Sequence, residues 1–227
     1  MRTYIDRPQF LPAPDPSGPD PSSPDSSGTD RSPLSRHGAL PREEAELLLG
    51  SDELAEALAA GSWVEPFGGV VLPAALSDDP MARAAAALLR AGDQAVISGP
   101  TAVAMHGCGP ADDEAVHVTV PYDRDVRSRD ELVVHHAWFR ETDVIELDGL
   151  RVQALDVALA DVLCTGPQRR ALDCLERALC RLGSGAEHFR ALVGERLARR
   201  RDRRGTRKAY ALLELAWAHP TVAGVAL

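Results

Sequence analysis

The sequence predicts a mixed α/β fold of the α+β kind, mostly helical, in which a winged helix-turn-helix-like unit precedes a small α/β body ending in a bundle of helices. Three observations carry this expectation. Over 40–76, two short segments with apolar stripes are followed by apolar runs on either side of a Gly-Gly pair, the order helix, helix, hairpin. From residue 77, short strand-like runs alternate with Ala/Leu-rich helical ones. The last third of the chain carries helical spacing alone.

Within residues 1–39, the stretch from Phe10 to about Gly38 is dominated by Pro, Ser, Asp and Gly, as in Pro12-Ala13-Pro14-Asp15-Pro16. A segment with so little to bury cannot recover its conformational entropy, and this head is expected to be a disordered tail, either a flexible arm or an inert extension. The first helix opens at Pro41-Arg42-Glu43-Glu44, with proline and acids in its first turn, and carries Ala45, Leu48 and Leu49 on one stripe. Gly50 ends it, and Ser51 starts a second helix with Leu54 and Leu58 one turn apart. Trp63-Val64-Glu65, a turn over Pro66-Phe67-Gly68-Gly69, and Val70-Val71-Leu72 then read as a hairpin whose core is expected to hold Trp63, Val64, Gly69 and Val70.

In the body, 77–227, Met81 to Ala91 reads as a helix, Ala95 to Ser98 as a short strand and Thr101 to His106 as a helix. Val116 to Pro121 alternates with period two, and Leu132 to His136 is able to pair with it. Leu155 to Leu163, Gln168 to Leu182, Glu187 to Arg203 and Thr206 to His219 read as helices.

Three stretches, taken in order, resemble the AbiEi family of antitoxin-type regulators from type IV toxin-antitoxin systems. Gly61-Ser62-Trp63-Val64 with Gly69-Val70 is similar to the family's wing. Ala84-Ala85 and Ile97-Ser98-Gly99-Pro100-Thr101-Ala102-Val103-Ala104-Met105-His106-Gly107 resemble its helix, strand and serine-to-His-Gly segment. Val116 to Pro121, Asp148 to Val152 and Ala154 to Leu163 follow in the family's order. The resemblance implies a winged-helix region joined to an α/β antitoxin domain, autoregulation by DNA binding, and a nucleotidyltransferase-type toxin as partner. Longer relatives add a Vsr-like endonuclease domain, which is expected to be lacking here, so an inactive remnant of such a relative is a further alternative.

Charge departs from that pattern and makes the winged unit degenerate. Between Pro41 and Pro80 nine acids face one base, Arg42, and the second helix carries Asp52, Glu53 and Glu56 with no base at all. DNA binding draws much of its affinity from phosphate neutralisation by Lys and Arg. An acidic surface built from Asp52, Glu53, Glu56 and Glu65 is therefore expected to meet a basic protein partner. The opposite bias lies in Glu195–Lys208, where eight bases and two acids give a net of plus six. Arg199, Arg200, Arg201, Arg203, Arg204, Arg207 and Lys208 are the candidate nucleic-acid contact; the competing reading is a solvated helix end favoured by the helix dipole.

Catalysis is not expected. Gly99-Pro100-Thr101-Ala102 loosely resembles a segment of nucleotidyltransferase toxins, but those enzymes need two alternating carboxylates on the next strand, where this chain has His117 and Thr119. Neighbouring strand residues face opposite sides, so His135-His136 cannot chelate one ion as a unit. Cys108, Cys164, Cys174 and Cys180 lack Cys-x-x-Cys spacing and read as buried thiols, so neither metal nor cofactor is expected. No apolar run is long enough to span a bilayer and none resembles a secretory signal, which leads to an expected cytoplasmic location with no membrane partner. Of 25 basic residues only one, Lys208, is a lysine, a bias that GC-rich codons produce and that points to a bacterial source.

Overall fold

The computed structural model describes residues 37–110, 115–129 and 131–218. The head expected to be disordered lies outside them, apart from residues 37–39. The described residues form a mixed α+β fold with two sheets, and none of their helices is long and apolar enough to cross a membrane.

The first sheet belongs to the winged unit. Strand β1 (Leu40–Pro41), helices α1 (Arg42–Leu49) and α2 (Ser51–Ala59), and strands β2 (Trp63–Phe67) and β3 (Val70–Pro73) follow one another, with antiparallel strand order β1-β3-β2. A helix pair followed by a hairpin that also pairs with the strand before the helices is the order of a winged helix-turn-helix. Gly50, at φ 99°, makes the one-residue corner between the two helices. The hairpin corrects the expectation in one respect: Pro66 and Phe67 belong to β2, and the turn is Gly68-Gly69 alone. Proline is tolerated there because β2 is an edge strand, and the pairing slips between Val64 and Phe67.

A 3-10 turn, Ala74–Leu76, leads to α3 (Pro80–Ala91), which has Pro80 at its first position and Asp79 accepting from the Ala82 amide at 2.8 Å. Ala82, Ala84, Ala85, Ala86, Ala87, Leu88 and Ala91 are all buried, nearly the whole circumference of the helix. So many alanines let backbone approach from several sides, and α3 packs against strands of both sheets. The boundary expected at residue 77 thus falls where the two parts share a core: Phe67, Val70 and Leu72 of the wing lie in one apolar cluster with α3 and the second sheet.

That second sheet contains β4 (Val96–Ile97), β5 (Val116–Val120), β6 (Leu132–His136), β7 (Val144–Leu147) and β8 (Leu150–Gln153), in the order β6-β5-β4-β8-β7. Pairs β5–β6 and β4–β8 are parallel, whereas β4–β5 and β7–β8 are antiparallel. Helix α4 (Gly99–Met105) follows β4, and α5 (Leu155–Thr165) follows β8. Helices α6 (Gln168–Leu182), α7 (Ala186–Arg199) and α8 (Thr206–Ala218) pack with α5 as the helical bundle. Ala171, Cys174, Leu175 and Ala178 are the buried stripe of α6, at the spacing of one helix face. That stripe corrects the cysteine expectation: Cys180 falls off it and is exposed, while the other three thiols are buried.

Within the wing, Val70 is buried, Val64 is half-buried against the main core, and Trp63 is half-buried against a small cluster of Ala45, Leu54, Val71, Leu40 and Leu58. Gly69 is an exposed turn residue and no part of the core. Half-burial lowers what Trp63 contributes, so Trp63→Ala should cost on the order of 2 kcal/mol by urea denaturation, below a fully buried aromatic truncation. A silent substitution would contradict the packing described.

Candidate functional site

Helix α2 lies on the surface with only Leu54 fully buried, and Asp52, Glu53 and Glu56 are all exposed. Glu65 is different. Its carboxylate accepts from the Gly69 amide at 2.6 Å, closing the hairpin turn, and from Arg42 at 3.0 Å. It therefore serves the wing's own geometry and is not a free member of the acidic surface. Arg42, the one base of the unit, also donates to Glu46 at 2.9 Å. The second helix of the pair thus presents three carboxylates, and the only guanidinium nearby in sequence is engaged by two others. Beside them, Leu47, Leu48 and Leu49 end α1 with 87%, 57% and 42% exposure, an apolar patch rimmed by acids.

The basic run is reorganised by contacts that its sequence does not reveal. Helix α7 ends at Arg199 and does not continue to Arg203, a correction to its expected length. Beyond it the chain turns, with the Arg204 amide on the Asp202 carboxylate at 2.9 Å and the Thr206 hydroxyl on the Arg203 carbonyl. Arg196 reaches Asp156 at 2.7 Å and also Asp143, while Arg200 pairs with Asp161. These three acids reduce the local net charge from plus six to plus three. Arg199 pairs with Glu195, Arg204 with Asp202, and Lys208 donates to the Gly166 carbonyl at 2.7 Å. Arg201, Arg203 and Arg207 are exposed and form no ion pair among the described residues. The expected seven-residue contact thus contains three unengaged guanidinium groups.

The serine-to-His-Gly segment forms a knot around Gln153. The Gly99 amide donates to the Gln153 side-chain oxygen at 3.3 Å, and His106 Nε2 donates to the Gln153 carbonyl at 2.8 Å, tying both ends of α4 to the end of β8. Ser98 is buried at the mouth of this knot, and its hydroxyl lacks a hydrogen-bond partner among the described residues. On the neighbouring strands, His117 Nδ1 lies 3.1 Å from His135 Nε2, with the ring planes 18° apart. Their centroids are 5.4 Å apart, so the rings meet edge to edge, one ring nitrogen donating to the other. His136 points elsewhere and donates to the Arg124 carbonyl at 3.0 Å. Thr119, at the other position where a nucleotidyltransferase needs a carboxylate, is buried. Among the described residues no group of three or more His, Cys, Asp or Glu side chains is placed to hold a metal ion.

Burial lowers the pKa of His106 against the opposing pull of the Gln153 hydrogen bond and of Asp156; at His135, an exposed residue, the partial desolvation of its ring together with the neighbouring His136 acts in the same direction. Burial raises the thiols of Cys108, Cys164 and Cys174, which keeps them protonated and unreactive. A histidine whose folded pKa lies below its unfolded value near 6.5 binds more protons when unfolded. Stability is then complete above about pH 6.5 and falls as pH drops below it. Urea midpoints measured at pH 7.5, 6.5 and 5.5 should decline across the lower interval, and His106→Gln should lessen the decline. A midpoint that rises on acidification would contradict this.

A further surface was not visible in the sequence: Tyr122 and Trp138, which follow β5 and β6, meet with ring centroids 5.9 Å apart. Compared with models of known protein families and with curated protein sequences, the chain matches none of either.

Proposed function

We propose that this protein is a non-catalytic, antitoxin-like regulator that acts by binding another protein, with the exposed face of α2 as part of the contact. The observation that supports this reading is the state of the helix-turn-helix. Asp52, Glu53 and Glu56 are exposed on its second helix and form no ion pair among the described residues, while Arg42 is committed to Glu46 and Glu65. A duplex presents about one negative charge per 1.7 Å, so such a helix entering a groove would be repelled. A basic protein surface would be attracted, and Leu47, Leu48 and Leu49 add apolar area beside the acids. The resemblance to AbiEi-type antitoxins supports a nucleotidyltransferase-type toxin as the partner and a cytoplasmic location.

The test is co-purification with the products of the genes adjacent to its own. A neighbour with a basic surface should bind, and Asp52→Lys, Glu53→Lys and Glu56→Lys together should weaken binding by at least about tenfold, given the large penalty of like charges across an interface. Binding indifferent to the triple reversal would overturn the reading. One observation favours a second reading, a DNA-binding regulator: Arg201, Arg203 and Arg207 remain exposed without acid partners among the described residues.

A further inference from the structure

Parallel strands β5 and β6 end side by side, and each leads straight into aromatic residues: Pro121-Tyr122-Asp123 after β5 and Ala137-Trp138-Phe139 after β6. Trp138 is 72% exposed and Tyr122 is 60% exposed, in a chain with only 4% aromatic residues. Their rings are tilted 52° to one another, so Tyr122 holds Trp138 at the rim of a cleft. The cleft measures about 250 Å³, and its walls include Gln94, Pro121, Asp123, Trp138, Phe139 and Glu141. Pockets for small molecules and cofactors are generally about 300–1,000 Å³, so this one suits a single side chain.

The chemistry of the walls selects which side chain. The charged groups lining the cleft are both carboxylates. Glu141 is partly neutralised, because Arg151 donates to both of its oxygens at 2.8 and 3.0 Å. Asp123 is exposed and forms no ion pair among the described residues. An indole face beside an unengaged carboxylate suits a flat cation that stacks on the ring and donates paired hydrogen bonds to the acid, the description of a guanidinium. Phosphate-bearing polymers meet the opposite electrostatics at the same place.

We propose that the Trp138 cleft accepts an arginine side chain from a basic protein partner, with the guanidinium on the indole face and bonded to Asp123. This rests on the protein-binding reading above and adds a second anchor, separate from the acidic face of α2. Exposed Trp and Tyr clustered at one spot are the residue types that dominate interface energetics.

The three tryptophans give three indole N–H signals in a nitrogen-15 spectrum of the full chain, and Trp138→Phe identifies the relevant one. Titration with hexa-arginine amide should shift the Trp138 signal and do so several-fold more strongly than hexa-lysine amide, because a compact ammonium cannot stack and bond in a fork. Trp138→Ala and Asp123→Asn should each weaken the binding, read at the backbone amide of Phe139 in the cleft wall, by about fivefold or more without moving the melting temperature. If hexa-arginine shifts α2 signals but leaves Trp138 unmoved, this proposal fails while the protein-binding reading stands. If neither region responds, both fail. A Trp138 signal that follows an oligothymidylate and ignores hexa-arginine would make the cleft a base-stacking surface and overturn the proposal.

Discussion

Gly205→Ala should be among the most destabilising single substitutions in the protein, costing on the order of 3 kcal/mol or more. Two causes add. Gly205 has φ +73°, which costs a residue with a side chain about 1–2 kcal/mol. A Cβ at this position would also lie 2.1 Å from the Cys164 carbonyl oxygen, and that atom is backbone and cannot rotate away. The contact is where the turn before α8 passes over the end of α5, and the neighbouring Lys208 holds the Gly166 carbonyl, so the strain cannot be relieved by a small slide of the turn. The urea midpoint should drop sharply, and Gly61→Ala makes a useful comparison. Gly61 has φ +72°, almost that of Gly205, but nothing within 4 Å of its would-be Cβ, so its cost should stay near the conformational term alone. Equal costs at the two sites would contradict a close approach of residue 205 to the Cys164 carbonyl.

Arg196→Ala should cost about 2–4 kcal/mol, whereas Arg199→Ala, in the same basic run, should stay within about 0.5 kcal/mol. Arg196 bridges Asp143, in the 3-10 turn before β7, and Asp156, in the first turn of α5, and their side chains are only 14% and 12% exposed. Removing the cation leaves two carboxylates sheltered from water with no counter-charge, the costly way to break an ion pair. Arg199 is 69% exposed and meets only Glu195 one turn back. Thermal or urea denaturation of the two variants at pH 7 checks both statements. Equal effects at pH 7 would mean that the whole run is solvated.

These two arginines show what sequence could and could not reveal. Spacing alone placed α6, because Ala171, Cys174, Leu175 and Ala178 repeat on one helical face, and the helix, helix, hairpin order of the winged unit followed from caps, glycines and apolar stripes. Strand β7 leaves no clear trace in the sequence, since Val144-Ile145-Glu146-Leu147 is a partly exposed edge strand without regular alternation. The Asp148-Gly149 turn after it, with both residues at positive φ, is nevertheless a hairpin signature that was available. Charge counting along the chain overstated the basic run because the acids that engage Arg196 and Arg200 lie 39 to 53 residues earlier. Tyr122 and Trp138 were equally hidden. They meet only because β5 and β6 run parallel, and no local pattern announces that direction. The acidity of α2 was legible in full, since an exposed helix face depends only on its own residues, although the engagement of Glu65 by the turn was not.

A direct binding measurement tests whether the acidic helix-turn-helix meets protein and leaves DNA unread. The purified full chain is titrated against duplexes tiling the region upstream of its own gene, at about 50 and 200 mM salt. No sequence-specific complex is expected. Any weak binding at the lower salt should weaken steeply at the higher, survive Glu53→Gln with Glu56→Gln, and vanish when Arg201, Arg203 and Arg207 are changed to Glu. A specific duplex held at nanomolar affinity, with the loss mapping to Ser51 or to the Gly68-Gly69 turn, would contradict that expectation.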